Sequence, residues 1–315
     1  MHMKRSAAIG LIGAAAAAAS GLPAVAQMPA TIRIGAFPAE VAGEVFYAQA
    51  QGFFTKANLT ADVQLINNGS AIATAIVAGS MDVGLSDLVS VISAHAHGLP
   101  LVYVSAGLLW SVKAPTLLPI VLANSPIHVA KDFEGKTVTV NGINNIAQLP
   151  FMAWIDNNGG NSKLVKFVEL TFPAMLPAMQ RGVVDAMVCP EPFITGAVKA
   201  GGRIISMDRN PIAPSFLLSG WVASTAWIAK NNALARRFAD VMRTAGDWAN
   251  KNPALAAPIL AKVTNLPLSV IESQLRGLFQ DRLEPAQMQP VIDAAARYGV
   301  IAKAFPAGEI IAKLG

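Results

Sequence analysis

Short apolar runs alternate with helix-period patterns through the first two thirds of the chain. Thr31-Ile-Arg-Ile34 predicts a strand that ends at Gly35-Ala36-Phe37-Pro38, and Val41 to Ala50 predicts a helix closed at Gly52. Ala61 to Ile66 predicts a second strand. Asn67-Asn68-Gly69-Ser70 is a loop whose last residue can cap a helix over Ala71 to Ala78, with Gly79 just past its end. Asp82 to Leu85 predicts a third strand, and Asp87 to His97 a further helix. Strands alternating with helices of this length imply a largely parallel sheet covered on both faces.

The plan then repeats. Lys136 to Val140 predicts a strand, Asn145 to Asn157 a helix, Val165 to Leu170 a strand, Ala174 to Arg181 a helix and Val184 to Val188 a strand. Pro190 is expected to open one more helix at its favoured first position. The repetition is visible in residue identities. Ala75-Ile-Val-Ala-Gly79-Ser-Met-Asp82 and Ala178-Met-Gln-Arg-Gly182-Val-Val-Asp185 lie 103 residues apart, with Ala, Gly and Asp at matching positions. Each copy is followed by an apolar, strand-like run. Two similar α/β lobes are therefore expected.

Leu101 to Val104, Leu117 to Leu122 and Phe216 to Ala223 are extended segments between the lobes, and two chain crossings near 109–118 and 213–222 would form a hinge. From Trp227 onward the pattern is mostly helical, punctuated by Pro253, Pro267, Pro285 and Pro306. Those helices are assigned to the first lobe. The expected organisation is lobe 1 over 27–111 and 213–315, and lobe 2 over 112–212.

The N-terminus adds a cellular address. Lys4 and Arg5 precede an apolar run from Ala7 to Ala19, Gly21-Leu22-Pro23 breaks it, and Ala24-Val25-Ala26 is an A-x-A cleavage pattern. Residues 1–26 thus predict a signal peptide, with a mature chain beginning near Gln27 in the periplasm. The apolar run is shorter than the roughly 20 residues that span a bilayer, and no cysteine follows it to carry a lipid. Cys189 is the sole cysteine, which excludes an internal disulfide and a cysteine-based zinc cluster. The formal charge of +5 falls to +3 without Lys4 and Arg5, and the basic residues are scattered. Nucleic-acid binding has no support in that distribution.

Ligands of open parallel sheets bind outside the carboxyl ends of the strands. That rule selects Phe37 to Glu40, Asn68 to Ala71 and Ser86-Asp87 in the first lobe. In the second it selects Asn141 to Gln148, Thr171 to Ala174 and Cys189 to Glu191. Several of these are helix starts, where free N–H groups favour an anion. The candidate ligand-binding residues are Phe37, Pro38, Ser70, Ala71, Asp87, Trp110, Asn144, Asn145 and Glu191. Each has a plainer reading. Ser70 could serve only as a helix cap, Asn144 and Asn145 could cap the following helix, and Asp87 and Glu191 could be helix-start carboxylates. Trp110 and Trp221 flank the crossings and could stack on a ligand or fill the core. Asp82 and Asp185 are expected to be structural. His95 and His97 fall on different helix faces, so they do not converge on a metal. Cys189 before Pro190 suits packing better than nucleophilic chemistry. Walker, nucleophile-elbow, zinc-protease and dinucleotide motifs are all missing from the sequence. No cofactor, no metal and no catalytic residue is expected.

Several segments carry a family resemblance. They are Gln51-Gly-Phe-Phe-Thr-Lys-Ala-Asn-Leu59, Lys131-Asp-Phe-Glu-Gly-Lys-Thr-Val138, the two Gly-to-Asp turns, and Asp247-Trp-Ala-Asn-Lys-Asn-Pro253. Over essentially the whole mature chain the sequence resembles the periplasmic solute-binding proteins of ABC importers for nitrate, sulfonate, taurine and thiamine-pyrimidine precursors. Asn58 stands where the family usually has Gly, a change tolerated because Asn also adopts the left-handed conformation. The resemblance implies a two-lobed periplasmic-binding-protein fold of type II, with two mixed or parallel sheets, a hinge and C-terminal helices. It implies a capture protein, expected to be a monomer, that delivers a small polar organic ligand to a permease in the inner membrane. The helix starts at Ser70, Asn145 and Pro190 and the apolar rim of Phe37, Trp110 and Trp221 favour a sulfonate- or carboxylate-like anion as that ligand. A neutral pyrimidine or aromatic ligand is the alternative, as is an exported enzyme on the same scaffold. The related eukaryotic pyrimidine-forming enzymes carry a cysteine-rich active-site motif that this chain lacks.

Overall fold

The computed structural model describes residues 28–66, 68–207 and 212–314. The expected signal peptide lies outside the described residues. Chain order begins with β1 (Ala30–Ala36), a single 3-10 turn over Glu40–Ala42, then α1 (Gly43–Ala50), α2 (Phe53–Lys56) and β2 (Leu59–Leu65). It continues with α3 (Gly69–Val77), β3 (Val83–Asp87), α4 (Leu88–Ala96), β4 (Leu101–Ala106) and β5 (Leu108–Ser111). The second half of the α/β pattern comprises β6 (Leu117–Leu122), β7 (Thr137–Val140), α5 (Leu149–Asn157), β8 (Lys166–Glu169) and α6 (Phe172–Gln180). After these come β9 (Ala186–Pro190), α7 (Phe193–Lys199) and β10 (Gly202–Ile204). The return is made by β11 (Ser215–Leu217) and β12 (Ser219–Ser224). The rest comprises α8 (Thr225–Lys251), α9 (Pro253–Thr264), α10 (Leu268–Ser273), β13 (Leu278–Phe279) and α11 (Pro285–Arg297).

Two five-stranded mixed sheets form, in the orders β2-β1-β3-β12-β4 and β10-β6-β9-β7-β8. In each, three strands are mutually parallel and the flanking strand enters antiparallel: β12 beside β3, and β6 beside β9. β5 pairs with β11 and β13 in a third, small sheet that joins the two. The inner strands are largely apolar, whereas the edge strands β2 and β8 are exposed at several positions. β3, β4 and β9 are buried along their whole lengths. Of the C-terminal helices, α8 and α9 pack on α1 and α11 packs on α4, whereas α10 reaches across to α7.

The internal repeat is built the same way twice, bond for bond. Gly79 and Gly182 leave their helices at φ 77° and 72°, a conformation that only a residue without Cβ adopts easily. Each glycine N–H donates to a carbonyl of the preceding turn, Ile76 or Met179. The Asp82 amide donates to the Arg33 carbonyl at 3.0 Å, and a carboxylate oxygen of Asp82 accepts the Arg33 N–H at 2.8 Å. Asp185 does the same with Thr137, at 2.8 Å in each direction. Both aspartates therefore fasten the incoming strand to the first of the three parallel strands of its sheet, the structural task expected of them. Asp82 additionally holds the Arg33 guanidinium.

Several boundaries differ from expectation, each for a local reason. The cap of α3 is Asn68, not Ser70: the Asn68 side chain accepts from the Ala71 N–H, and the helix starts at Gly69, two residues earlier than expected. Pro190 ends β9 instead of opening a helix, because its carbonyl side stays in register opposite Leu117 and α7 begins only at Phe193. α5 begins at Leu149, since Asn145 folds its own side chain onto the next amides and delays the helix. Phe216 to Ala223 is two strands in different sheets, divided at Leu218, whose N–H donates to Leu108 and whose carbonyl accepts from Leu88.

The paired turns set an expectation for stability. Asp185→Ala should cost about 1 kcal/mol, the worth of a single hydrogen bond. Asp82→Ala should cost somewhat more, because the Arg33 contacts go with it. Urea unfolding of the two variants checks this, and equal, negligible changes would show that the turns are not fastened by these carboxylates.

Candidate functional site

The parallel strands of both sheets point their carboxyl ends toward one another, and the antiparallel neighbours β12 and β6 start at that same edge. Between the edges lies a cavity of about 30 Å³, room for only one or two waters. The first-sheet side is formed by Phe37, Val41, Gly69, Asp87, Leu218 and Ser219. Asn141, Asn145, Ile146 and Ala147, from the loop after β7, face them, together with Leu117, Phe172 and Pro190. The lining is mostly apolar, and it contains one carboxylate, two carboxamides and no lysine or arginine.

Asp87 is the central polar group. It ends β3 and caps α4, so its side chain turns back on the helix start: Oδ1 accepts the Ser90 N–H at 3.0 Å and Oδ2 the Ser90 hydroxyl at 2.6 Å. From the opposite sheet, the Ile146 N–H donates to Oδ1 at 3.0 Å. This bond ties the two edges together. Gly69 permits the arrangement, since a Cβ there would sit 3.1 Å from Asp87 Oδ2 and 3.1 Å from Ser86 Oγ. Burial pushes the Asp87 carboxyl above its usual range, while the Ser90 and Ile146 donors pull the other way. Asn145 is fastened in turn: its Nδ2 donates to Asn141 Oδ1 at 2.8 Å, and its Oδ1 accepts the Ala147 and Gln148 N–H groups. Phe37 meets Phe172 across the cavity, ring centroids 6.2 Å apart.

Of the candidate residues, Phe37, Asp87 and Asn145 line this cavity. The other six stand apart from it. Pro38 is half-buried beside Phe37. Ser70 is exposed, its hydroxyl 3.2 Å from that of Ser90, and the Ala71 N–H is taken by the Asn68 cap. Asn144 is exposed at φ 55°, its N–H bonded to Gln148 Oε1. Trp110 is fully buried and stacks on Phe216 at 4.8 Å, filling the core beneath the joining sheet. Trp221 is buried too, its Nε1–H donating to Glu44 Oε2 at 2.6 Å. Glu191 turns away from the cavity: its carboxylate accepts from the Thr195 N–H and hydroxyl and from the Leu275 N–H. Sequence reasoning missed Val41, Leu117, Leu218 and Ser219. The last three belong to or adjoin antiparallel strands, whose amino ends share the edge with parallel carboxyl ends.

Behind the cavity lies a group of buried acids. Glu40 meets the Arg276 guanidinium at 3.0 Å, and its N–H donates to the Glu191 carbonyl. Burial raises the Glu40 carboxyl to about 7, Arg276 opposes this and Glu191 adds to it. Burial also raises Glu44, against the Trp221 hydrogen bond, and Glu191, against the Thr195 donors. Cys189 is fully buried within β9, and burial pushes its thiol well above the ordinary range. Among the described residues, no cluster of histidine, cysteine and carboxylate side chains could hold a metal ion, and no helix is long and apolar enough to cross a membrane.

The fold and cavity define a two-lobed α/β protein of the periplasmic-binding-protein class. A model of the family described as NMT1/THI5 like matches residues 40–256, and the chain belongs to that family. An Escherichia coli (strain K12) relative named for binding aliphatic sulfonates is 26% identical over 223 residues, covering 71% of this chain and 66% of that relative. The crystal structure of the periplasmic aliphatic sulphonate-binding protein of Escherichia coli superposes with a TM-score of 0.71 at 21% identity, over 90% of this chain and 92% of that one. The alkanesulfonate-binding protein of Xanthomonas axonopodis pv. citri, bound to MOPS, gives 0.77 at 18% identity, over 91% and 99%.

The raised Glu40 carboxyl has a consequence for stability. Between its ordinary value of 4.5 and about 7, the folded protein holds a proton that the unfolded chain releases. The contribution is therefore favourable at acid pH and lost as pH rises through 7. The melting temperature should rise from pH 8 to pH 5.5, and Glu40→Gln should flatten that slope. A slope unchanged by the substitution would mean that Glu40 is not the titrating group.

Proposed function

We propose that this protein is the solute-binding component of an ABC importer, exported to the periplasm with its mature chain beginning near Gln27. As a monomer, it closes its two lobes on a small organic solute and presents it to a permease in the inner membrane. The observation that carries this reading is the cavity lined from both sheets and tied across by the Asp87–Ile146 hydrogen bond. Family membership and the names of the relatives support it. The small sheet of β5, β11 and β13 would act as the hinge. Closure needs no covalent chemistry: a solute touching both edges favours the shut state by its differential affinity for it.

The chemistry of the lining favours a solute whose polar head donates hydrogen bonds. A permanently anionic head 4 Å from a charged Asp87 would be repelled by about 4 kcal/mol at an effective dielectric constant near 20, and no cation in the lining offsets that. A neutral, nitrogen-bearing ring instead offers N–H groups to Asp87 and apolar faces to Phe37 and Phe172. The second reading, an organic sulfonate or carboxylate, is favoured by the names of the relatives and requires Asp87 to be protonated, the form that its burial promotes.

Calorimetry against 4-aminopyrimidine, methanesulfonate and propanoate chooses between them. The aminopyrimidine is expected to bind, and Asp87→Asn to weaken it tenfold or more, about 1.4 kcal/mol. Sulfonate binding that strengthens in Asp87→Asn would establish the second reading. Conversion of a bound probe into product would replace both with an exported enzyme. Small-angle scattering should show compaction when the bound solute is added, and an unchanged profile at saturation would count against lobe closure.

A further inference from the structure

The cavity of about 30 Å³ is far below the roughly 300–1,000 Å³ of sites that hold small organic ligands. Directly behind one of its walls lies a pocket of about 560 Å³. Both spaces share the Phe172 side chain. On the cavity side the Phe172 ring faces Phe37, with centroids 6.2 Å apart and planes tilted by 50°. On the pocket side it stacks on Phe193, at 5.2 Å and 26°. One aromatic ring at the first turn of α6 is thus common to the Asp87 cavity and an apolar pocket.

The pocket is bounded by α6 and α7 of the second lobe and by the connection from α9 to α10. Leu176, Ala197, Leu266 and Val270 supply its apolar walls. The Lys199 ammonium, at the rim, donates to the Ser269 carbonyl and so joins α7 to α10. Gly196 bears most directly on its use. It lies inside α7 with ordinary helical backbone, where glycine costs about 1 kcal/mol relative to alanine. Neither crowding nor backbone conformation requires a glycine there: a Cβ would find only Val270 Cγ1, at 3.9 Å. What the missing side chain provides is open space in the pocket.

We propose that the solute recognised at the Asp87 cavity carries an apolar, ring-sized body that passes Phe172 and lodges in the pocket beneath Gly196, with Phe172 as the gate and Gly196 as the size limit. This assignment rests on the reading of the cavity as a solute site. It narrows the substrate class to molecules with a small polar head and an aryl or similarly bulky tail. The pocket is too large and too apolar to serve a bare inorganic anion.

Two matched pairs of probes test it by calorimetry on the mature chain: 4-aminopyrimidine with 4-amino-2-phenylpyrimidine, and methanesulfonate with naphthalene-2-sulfonate. In at least one pair the aryl member should bind tenfold or more tighter than its short partner. Gly196→Leu should abolish that gain while leaving the short partner unchanged. Leu176→Trp, which fills the pocket from α6, should act in the same way, and thermal melting checks that both variants fold. Equal affinities within each pair, or an aryl gain that survives both substitutions, would overturn the proposal. Naphthalene has no head group and supplies a readout independent of Asp87. Its fluorescence should change saturably with the wild type and not with Gly196→Leu, and the lack of a saturable change in the wild type would overturn the pocket. Naphthalene binding that Gly196→Leu removes, with all four headed probes silent, would support the pocket and refute the reading of the Asp87 cavity as a solute site.

Discussion

Everything at the interlobe edge is organised around one carboxylate that has been taken out of water. Burying a charged oxygen pair is costly unless its lone pairs are met by donors. Asp87 meets that demand with two donors from Ser90 on its own side and one, the Ile146 N–H, from the other. Gly69 gives α3 the close approach that completes the enclosure. The cross-edge bond means that the shut arrangement and the electrostatic comfort of Asp87 are the same thing. If the lobes part, the Asp87 carboxylate and the Ile146 amide must find water or a solute instead. Under the proposed closure, this is how a chain with no cation in its cavity lining would couple ligand chemistry to domain position.

The duplicated architecture explains why the cavity is where it is. Each lobe orders its parallel strands with the same Gly-to-Asp turn, and each aspartate locks the third strand of its unit to the first. Two such units facing each other bring all their strand-end loops to one edge. The buried acids behind the cavity then become intelligible. Glu40 sits one residue before the cavity residue Val41 and is held by Arg276, whereas Glu191 follows the cavity residue Pro190 and is held by Thr195 and Leu275. Residues 274–277, which follow α10, therefore brace both edges from behind, and α10 itself packs on α7. The joining sheet is supported by the stacked rings of Trp110 and Phe216.

Much of this was legible in the sequence, and what was not has physical causes. Hydrophobic periodicity located nearly every strand and helix of the two α/β units, because buried parallel strands and amphipathic helices impose strong, distinct patterns. The repeat was legible because a left-handed glycine followed by a strand-fastening aspartate allows few substitutes. Capping was less legible. Asn68 and Ser70 are both good caps, and only the geometry of the loop selects Asn68. The strand-end rule placed Phe37, Asp87 and Asn145 at the cavity but could not say which neighbours on the same loops face inward, so Ala71, Asn144 and Glu191 were selected with them. Leu117, Leu218 and Ser219 escaped because the rule concerns parallel strands, and local pattern marked β6 and the β12 region as extended without giving their antiparallel place in the sheets. Trp110 illustrates a limit of composition: a large aromatic near a crossing serves the core as readily as a ligand.

The central claim is that a solute occupies the space between Asp87 and the Asn141–Ala147 loop while both lobes touch it. The most direct test is a crystal structure of the protein purified with whatever solute it retains, identified in parallel by mass spectrometry. The account predicts density for that solute within hydrogen-bonding distance of Asp87 or Asn145, contacted from both sheets. Solute density confined to one lobe, or seated away from these residues with the Asp87–Ile146 bond undisturbed, would contradict it.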